Sequence, residues 1–141
     1  MNKKIINAML VLGMTAGLAA GTCTSAFAEE AETEEARGYR FTWVNPIVGL
    51  EYWSIAEEGM AAADAKYGTD TQTVGPTEIN VDEMVKQIDA AVAAQVDGII
   101  TMALDPTALG PAIQRAVDAG IPVVCIDTDA PDSKRAGSVS Y

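Results

Sequence analysis

The chain has 141 residues, enough for one domain, and it carries 20 acidic against nine basic residues. Its net charge of −11 argues against nucleic acid and anionic lipid as partners, because their phosphates repel an acidic surface. The sequence has no histidine and two cysteines, Cys23 and Cys125, so a zinc site has almost no ligands and we expect no metal.

Residues 1–28 have the pattern of a secretory signal peptide. Lys3 and Lys4 precede an apolar run that ends at Ala26-Phe27-Ala28, a small-residue sequence typical of a cleavage site. A transmembrane anchor is the alternative, which the short, glycine-containing apolar run disfavours. Cleavage leaves seven basic against 20 acidic residues, a net charge of −13. We therefore expect an exported protein, in the periplasm or at the outer face of the cytoplasmic membrane.

Cys23 has a second interpretation as the lipid-carrying first residue of a lipoprotein, which would make the protein peripheral to the membrane. The preceding Ala20-Gly21-Thr22 fits a lipoprotein signal poorly, because a small residue normally stands directly before such a cysteine. Residues 29–38 follow as an acidic run without apolar spacing. That composition predicts a disordered spacer.

The predicted domain spans residues 39–141. Its first half alternates strand and helix. Residues 39–44 are rich in aromatic and β-branched side chains and predict a strand. Residues 50–67 predict a helix, and residues 69–75 predict a strand on the edge side of the sheet. We expect the helix to turn one stripe inward, namely Ile55, Met60, Ala63 and Tyr67.

The second half continues the alternation. A helix is predicted from Asn80 to about Gln95, since Asn80 and Glu83 form a capping-box-like start. The apolar runs 99–103 and 121–126 predict strands, and both are continuous, as is typical of parallel strands covered on both faces. Between them lies a helix with Asp105 as its cap, Pro106 at its first position and Gly120 at its end.

These elements predict an α/β fold with a doubly wound parallel sheet. Residues 137–141 look like the start of one more strand, after which the chain stops, so we expect a truncated lobe. Ligands of open α/β sheets bind beyond the carboxyl ends of the strands. Asn45, Asp105 and Asp127 follow three of the predicted strands and are therefore candidate ligand residues. The lone mature cysteine, Cys125, falls in an apolar strand, where packing is its expected role.

Three motifs resemble the amino-terminal lobe of periplasmic sugar-binding proteins, the ribose-binding-like solute receptors of ABC transporters. They are Glu51-Tyr52-Trp53 with Gly59 and Gly68 behind it, the segment VDGII before an acid-capped helix, and AGIPVVCIDTDAP. The resemblance covers residues 39–141 and implies a type I periplasmic-binding-protein lobe.

The resemblance also implies a site. Tyr52 and Trp53 stand where the family stacks aromatic rings on a sugar, and Asp127 stands at its hydroxyl-binding acid; Asn45 and Asp105 are the weaker candidates. Each has a structural alternative, since the aromatic pair can pack the helix and Asp105 is better explained as a cap. Thr128 and Met102 replace an arginine and an asparagine common in sugar receptors, which leaves the particular solute open.

The predicted function is a receptor that captures a sugar or similar polar solute and presents it to an ABC transporter permease. A ligand-sensing module for a chemoreceptor or membrane kinase is the alternative, since it would use the same pocket. An exported carbohydrate-active enzyme built on Asp127 and Asp129 is a third hypothesis. We expect no catalytic residues and no cofactor, because the chain lacks histidine, a nucleophile with a base, and any nucleotide-binding glycine motif.

Overall fold

A computed structural model of the chain describes residues 38–140. The predicted signal peptide, Cys23 and residues 29–37 of the predicted spacer lie outside these residues. The described elements are β1 (Arg40–Val44), a 3-10 turn (Glu51–Trp53), α1 (Ser54–Tyr67), β2 (Asp70–Val74), α2 (Val81–Ala93), β3 (Gly98–Thr101), α3 (Pro106–Asp118), β4 (Val123–Ile126) and β5 (Gly137–Val139). No helix within this range is both long and apolar enough to cross a membrane.

The five strands form one sheet in the order β2-β1-β3-β4-β5, and every pair is parallel. Parallel pairing and the helices between the strands confirm the predicted α/β fold, with β2 at the edge. The register aligns Thr101 of β3 with Val44 of β1 on one side and with Cys125 of β4 on the other. The carboxyl ends of β1, β3 and β4 therefore meet at one edge of the sheet.

The predicted helix ends are confirmed. Asn80 Oδ1 accepts a hydrogen bond from the backbone N–H of Glu83 at 3.0 Å. Asp105 Oδ1 accepts from the N–H groups of Thr107 and Ala108 at 2.9 and 3.1 Å, which caps α3 behind Pro106. At the other end of α3, Gly120 takes the left-handed conformation, with φ of 86°. These contacts satisfy backbone groups that helix termini otherwise leave unpaired.

The core lies between the sheet and the pair α2 and α3. Alternate side chains of β1, β3 and β4 turn to this side and are fully buried, namely Val44, Ile99, Val123 and Cys125. The helices bury Met84, Ile88, Leu109 and Ile113 in the same core. Burial raises the pKa of the Cys125 thiol. Cys125 is thus a small apolar core residue, as its position in an apolar strand predicted.

The opposite face of the sheet is covered incompletely, and the predicted inward stripe of α1 is wrong in part. No residue of α1 is buried; Ile55 is 79% and Tyr67 57% exposed. Among the strands, α1 packs mainly against the edge strand β2, so it does not reach across β3 and β4. Met60 and Tyr67 instead line an apolar groove whose floor includes Ile100 and Val124.

Asp64 ties the end of α1 to the start of β2. Its carboxylate accepts hydrogen bonds from the Thr69 hydroxyl at 2.5 Å, and from the Thr71 N–H at 2.9 Å and hydroxyl at 2.8 Å. The bond from Thr69 lowers the pKa of Asp64 most, and with the bonds from Thr71 it outweighs the opposing effect of burial. The ionised carboxylate is therefore the form that the fold stabilises.

We expect Asp64→Ala to lower the free energy of unfolding by about 1–2 kcal/mol at neutral pH. This lies toward the low end for hydrogen bonds to a charged group, because Asp64 is only half-buried and water screens its charge. Because the folded-state pKa is lowered, this contribution is complete above the unfolded pKa of about 3.9 and declines as the pH falls below it. Urea unfolding of both proteins at several pH values measures the difference. Asp70→Ala, which removes a nearby exposed acid, is the control. If the difference in the free energy of unfolding is as large at pH 3 as at neutral pH, the ionised form of Asp64 is not what stabilises the fold.

Gly75 lets the ends of β1 and β2 approach closely. Val74 accepts a hydrogen bond from Asn45 N–H at 2.8 Å, and Pro76 accepts one from Val48 N–H at 2.9 Å. Gly75 has φ of 157°, and a Cβ atom there would lie 2.1 Å from the Asn45 carbonyl oxygen. Only a residue without a side chain fits between these two loops.

Gly75→Ala should therefore lower stability by roughly 1–3 kcal/mol, because the Asn45 backbone must move away. Thermal unfolding followed by circular dichroism is the measurement. Gly59→Ala is the matched control: Gly59 lies on exposed α1, where an added Cβ meets nothing within 4 Å. The control should be neutral or stabilising, because alanine favours the helix. Equal thermal unfolding midpoints for the two variants would show that the close contact between Gly75 and the Asn45 carbonyl does not require glycine.

Candidate functional site

The candidate residues gather at the edge where β1, β3 and β4 end. Asn45 directly follows β1, Asp127 directly follows β4, and Asp105 lies beyond β3. Tyr52 and Trp53 belong to the 3-10 turn that follows the β1 loop and leads into α1. The structure therefore places all five sequence-predicted residues in the connections that leave this edge.

Asn45 is buried completely, and the loop that follows it becomes exposed only from Gly49 onward. Its side-chain Oδ1 accepts a hydrogen bond from the N–H of Ile47 at 3.1 Å, which turns the chain out of β1. Its Nδ2 has no hydrogen-bond partner among the described residues. Asn45 thus shapes the loop with its oxygen and keeps its amide donor unused.

The two adjacent aromatic residues differ in exposure. Tyr52 is 63% exposed, whereas Trp53 is only 8% exposed. The Trp53 ring packs edge to face with Tyr52 at 4.7 Å between centroids, and with Trp43 of β1 at 5.7 Å. Tyr52 therefore presents a ring to solvent, while Trp53 supports it from within. Sequence reasoning missed Trp43, although strand alternation places it on the same side of β1 as Asn45.

Asp127 has an unusual backbone conformation for a residue other than glycine, with φ of 63°. Its N–H donates to the Val139 carbonyl at 2.8 Å. The carbonyl of the following residue, Thr128, accepts from the Ala103 N–H at 3.0 Å. These bonds hold the turn to β5 and to the end of β3. Strained backbone conformations persist where surrounding contacts fix them, and they are frequent at binding sites.

The Asp127 side chain is half-buried, and no hydrogen bond joins its carboxylate to the other described residues. An ionised carboxylate accepts hydrogen bonds and cannot donate them. A solute hydroxyl is a suitable partner, because hydrogen bonds to charged acceptors are stronger than those between neutral groups.

Asp129 already has a partner, which the sequence did not reveal. Arg135 forms an ion pair with it across the loop between β4 and β5, and the N–H of Ala130 donates to Asp129 Oδ1 at 2.8 Å. Burial acts to raise the pKa of Asp129, but the hydrogen bonds from Arg135 and Ala130 prevail and lower it. Asp129 therefore braces the loop as an ionised group. A carboxyl of lowered pKa is poorly suited to be the general acid of a glycosidase.

Asp105 is exposed, and its Oδ1 is occupied by the two N–H groups of α3 that it caps. The capping role expected from the sequence is confirmed. In the range 38–140, no three acidic, cysteine or histidine side chains are grouped so as to hold a metal ion.

Comparison with known proteins places this site in a family. Residues 41–141 match the model of the periplasmic binding protein domain. GanP, a glucose-galactose binding protein from Geobacillus stearothermophilus, is 40% identical, with a TM-score of 0.71 over 74% of this chain and 37% of that chain. AraP, an arabinose binding protein from the same organism, is 31% identical, with a TM-score of 0.68 over 72% of this chain and 35% of that one.

The chain also resembles XylFII in its complex with LytSN, at 30% identity and a TM-score of 0.69 over 72% of this chain and 37% of that one. It thus matches little more than a third of the length of these proteins. The proteins that it matches are binding proteins and not enzymes, and their family implies an extracytoplasmic location. With its family match over residues 41–141 and its five-stranded parallel sheet, the chain belongs to the periplasmic binding protein family.

Proposed function

We propose that this chain is the amino-terminal lobe of an extracytoplasmic sugar receptor that delivers its solute to an ABC transporter permease. The observation that carries the proposal is the exposed Tyr52 ring together with the free Asp127 carboxylate, in connections that leave one sheet edge. GanP and AraP, which bind glucose-galactose and arabinose by name, support a sugar as the solute.

The two side chains match the two surfaces of a sugar. The C–H face of a sugar ring is apolar, and an aromatic ring can cover it. The hydroxyls cost free energy when buried without partners, and the Asp127 carboxylate can accept from them. Trp53 supports the Tyr52 ring through their edge-to-face contact. Asn45 follows the end of β1 at the same sheet edge. Asp105 has the smallest part, because its carboxylate is engaged in the α3 cap.

A second lobe, from chain beyond residue 141, closes over this wall in the proposed receptor. Binding at a cleft between two lobes is typically accompanied by hinge closure, which gives a permease a closed form to recognise. We further propose that residues 1–28 direct export, that residues 29–38 form a spacer, and that Cys23 is the lipid attachment point in the alternative lipoprotein form.

A sensing role is the second candidate. It is favoured by the similarity to XylFII, whose structure in complex with LytSN shows a related protein bound to a different protein. A chemoreceptor or membrane kinase would then replace the permease as the partner. A permease gene or a kinase gene beside the coding sequence distinguishes the two roles.

Calorimetric titration of the complete receptor against glucose, galactose and arabinose tests the proposal. Asp127→Asn should weaken binding by about 10- to 100-fold, the range for one lost hydrogen bond to a charged acceptor. Asp132→Asn is the matched control, because Asp132 is exposed in the same loop and should leave the affinity unchanged. If the receptor binds none of these sugars, a sugar is not its solute. If Asp127→Asn and Asp132→Asn bind with equal affinity, Asp127 does not contact the solute.

Residues 29–141 alone should bind these sugars only weakly, with a Kd of roughly 1 mM or more. The physical reason is that one wall supplies about half of the contacts and leaves the solute exposed to water. The same titration, performed on the isolated lobe and on the complete receptor, measures the difference. Micromolar affinity of the lobe would show that the second lobe is not needed.

A further inference from the structure

The backbone conformation of Asp127 needs support from its surroundings. Its φ of 63° is left-handed, which costs free energy for any residue other than glycine. Such a conformation persists only where neighbouring contacts fix it. The backbone also sets the direction in which a side chain leaves the chain. The contacts that hold the Asp127 backbone therefore decide where its carboxylate points.

One of these contacts comes from a short strand at the edge of the sheet. The Asp127 N–H donates to the Val139 carbonyl at 2.8 Å. Val139 ends β5, which has three residues and pairs only with β4 among the described strands. Val139 is also 66% exposed, so little apolar burial secures it. Because short, exposed elements open locally at low cost, the bond to Asp127 depends on what else holds β5 in place.

An ion pair joins the two ends of the loop between β4 and β5. The guanidinium of Arg135 faces the carboxylate of Asp129, with Nε against Oδ1 and Nη2 donating to Oδ2. Two parallel contacts fix the relative orientation of both groups, which one contact does not. Asp129 lies two positions after Asp127, and Arg135 lies two positions before β5. The pair thus ties the chain beside Asp127 to the chain that enters β5.

This ion pair is shielded from water. The side chain of Arg135 is 19% exposed and that of Asp129 is 34% exposed. In the other ion pairs of the described range the cation is between 51% and 74% exposed, namely in Lys86, Arg115 and Lys134. Water and salt weaken exposed pairs, so those pairs constrain the fold little. The pair of Asp129 and Arg135 is the stronger constraint, because it is shielded and has two contacts.

We propose that Arg135 is a positioning residue for solute binding. Through its two contacts with Asp129 it keeps β5 against β4 and holds Asp127 in the left-handed conformation that presents its carboxylate. The effect on affinity rests on the proposed function, whereas the effect on the loop does not. When the ion pair is lost, only a fraction of the molecules keeps Asp127 in this conformation, and the apparent affinity falls with that fraction.

Amide hydrogen exchange of the ¹⁵N-labelled chain tests the positioning without a solute. Arg135→Gln removes the charge and the two contacts, whereas Arg135→Lys keeps the charge without the planar fork. In both variants the Asp127 amide should exchange about tenfold faster. The Ile88 amide in the core, which reports opening of the whole fold, should keep its rate. Arg115→Gln is the matched control, because it breaks a two-contact ion pair with Asp89 between α2 and α3.

Calorimetric titration of the complete receptor measures the consequence for binding. Both Arg135 variants should bind the sugar about tenfold more weakly than the wild type, and Arg115→Gln should bind as the wild type does. In the Asp127→Asn background, Arg135→Gln should cause almost no further loss, because the carboxylate that it positions is already absent. A residue that only stabilises the fold does not show this dependence on Asp127.

Three results overturn the inference. The first is an unchanged Asp127 exchange rate or an unchanged affinity in Arg135→Gln. The second is wild-type behaviour of Arg135→Lys, which shows that the charge and not the two-contact geometry matters. The third is an equal loss of affinity with and without the Asp127 carboxylate. If the wild-type receptor binds none of the sugars, the proposed function is contradicted, and the exchange rates still decide whether Arg135 positions Asp127.

Discussion

The parallel pairing of β1, β3 and β4 is the constraint on which the rest of the structure depends. Thr101 lies between Val44 and Cys125 in the register, and its buried hydroxyl donates to the Val44 carbonyl at 3.3 Å. With this register fixed, the three strands end together. The connections that carry Asn45 and Asp127 then leave the sheet at the same edge, although 82 positions separate the two residues in the sequence.

Helices cover the two faces of the sheet to different extents. On one face, α2 and α3 bury apolar side chains completely, and Arg115 joins Asp89 across the two helices with bonds of 2.9 and 3.0 Å. On the other face, α1 packs mainly against the edge strand β2 and leaves an apolar groove over Ile100 and Val124. The closely packed face gives the strand ends a rigid base, which a binding site requires to hold its side chains in place. The Trp43 and Trp53 rings pack together on the second face, beside the beginning of α1.

Features governed by local chemistry could be predicted from the sequence, whereas features governed by tertiary packing could not. The caps at Asn80 and Asp105 depend on bonds to backbone groups within three residues, so the residue types were sufficient. The orientation of Ile55 was predicted wrongly, because the position of α1 over the edge strand is not encoded in helical periodicity. The ion pair of Asp129 and Arg135 was missed because it depends on the path of an irregular loop.

Several costs that the described residues leave uncompensated lie near the candidate site. The left-handed backbone of Asp127 costs about 1–2 kcal/mol relative to an ordinary conformation. The indole N–H groups of Trp43 and Trp53 and the Asn45 Nδ2 add buried donors that have no partner among the described residues. Elsewhere the helix caps and the Asp64 carboxylate have their hydrogen-bond partners. Local departures from good packing and pairing are expected where a protein is shaped for a ligand. A solute hydroxyl that donates to the Asp127 carboxylate would offset part of these costs, because this carboxylate has no hydrogen-bond partner among the described residues.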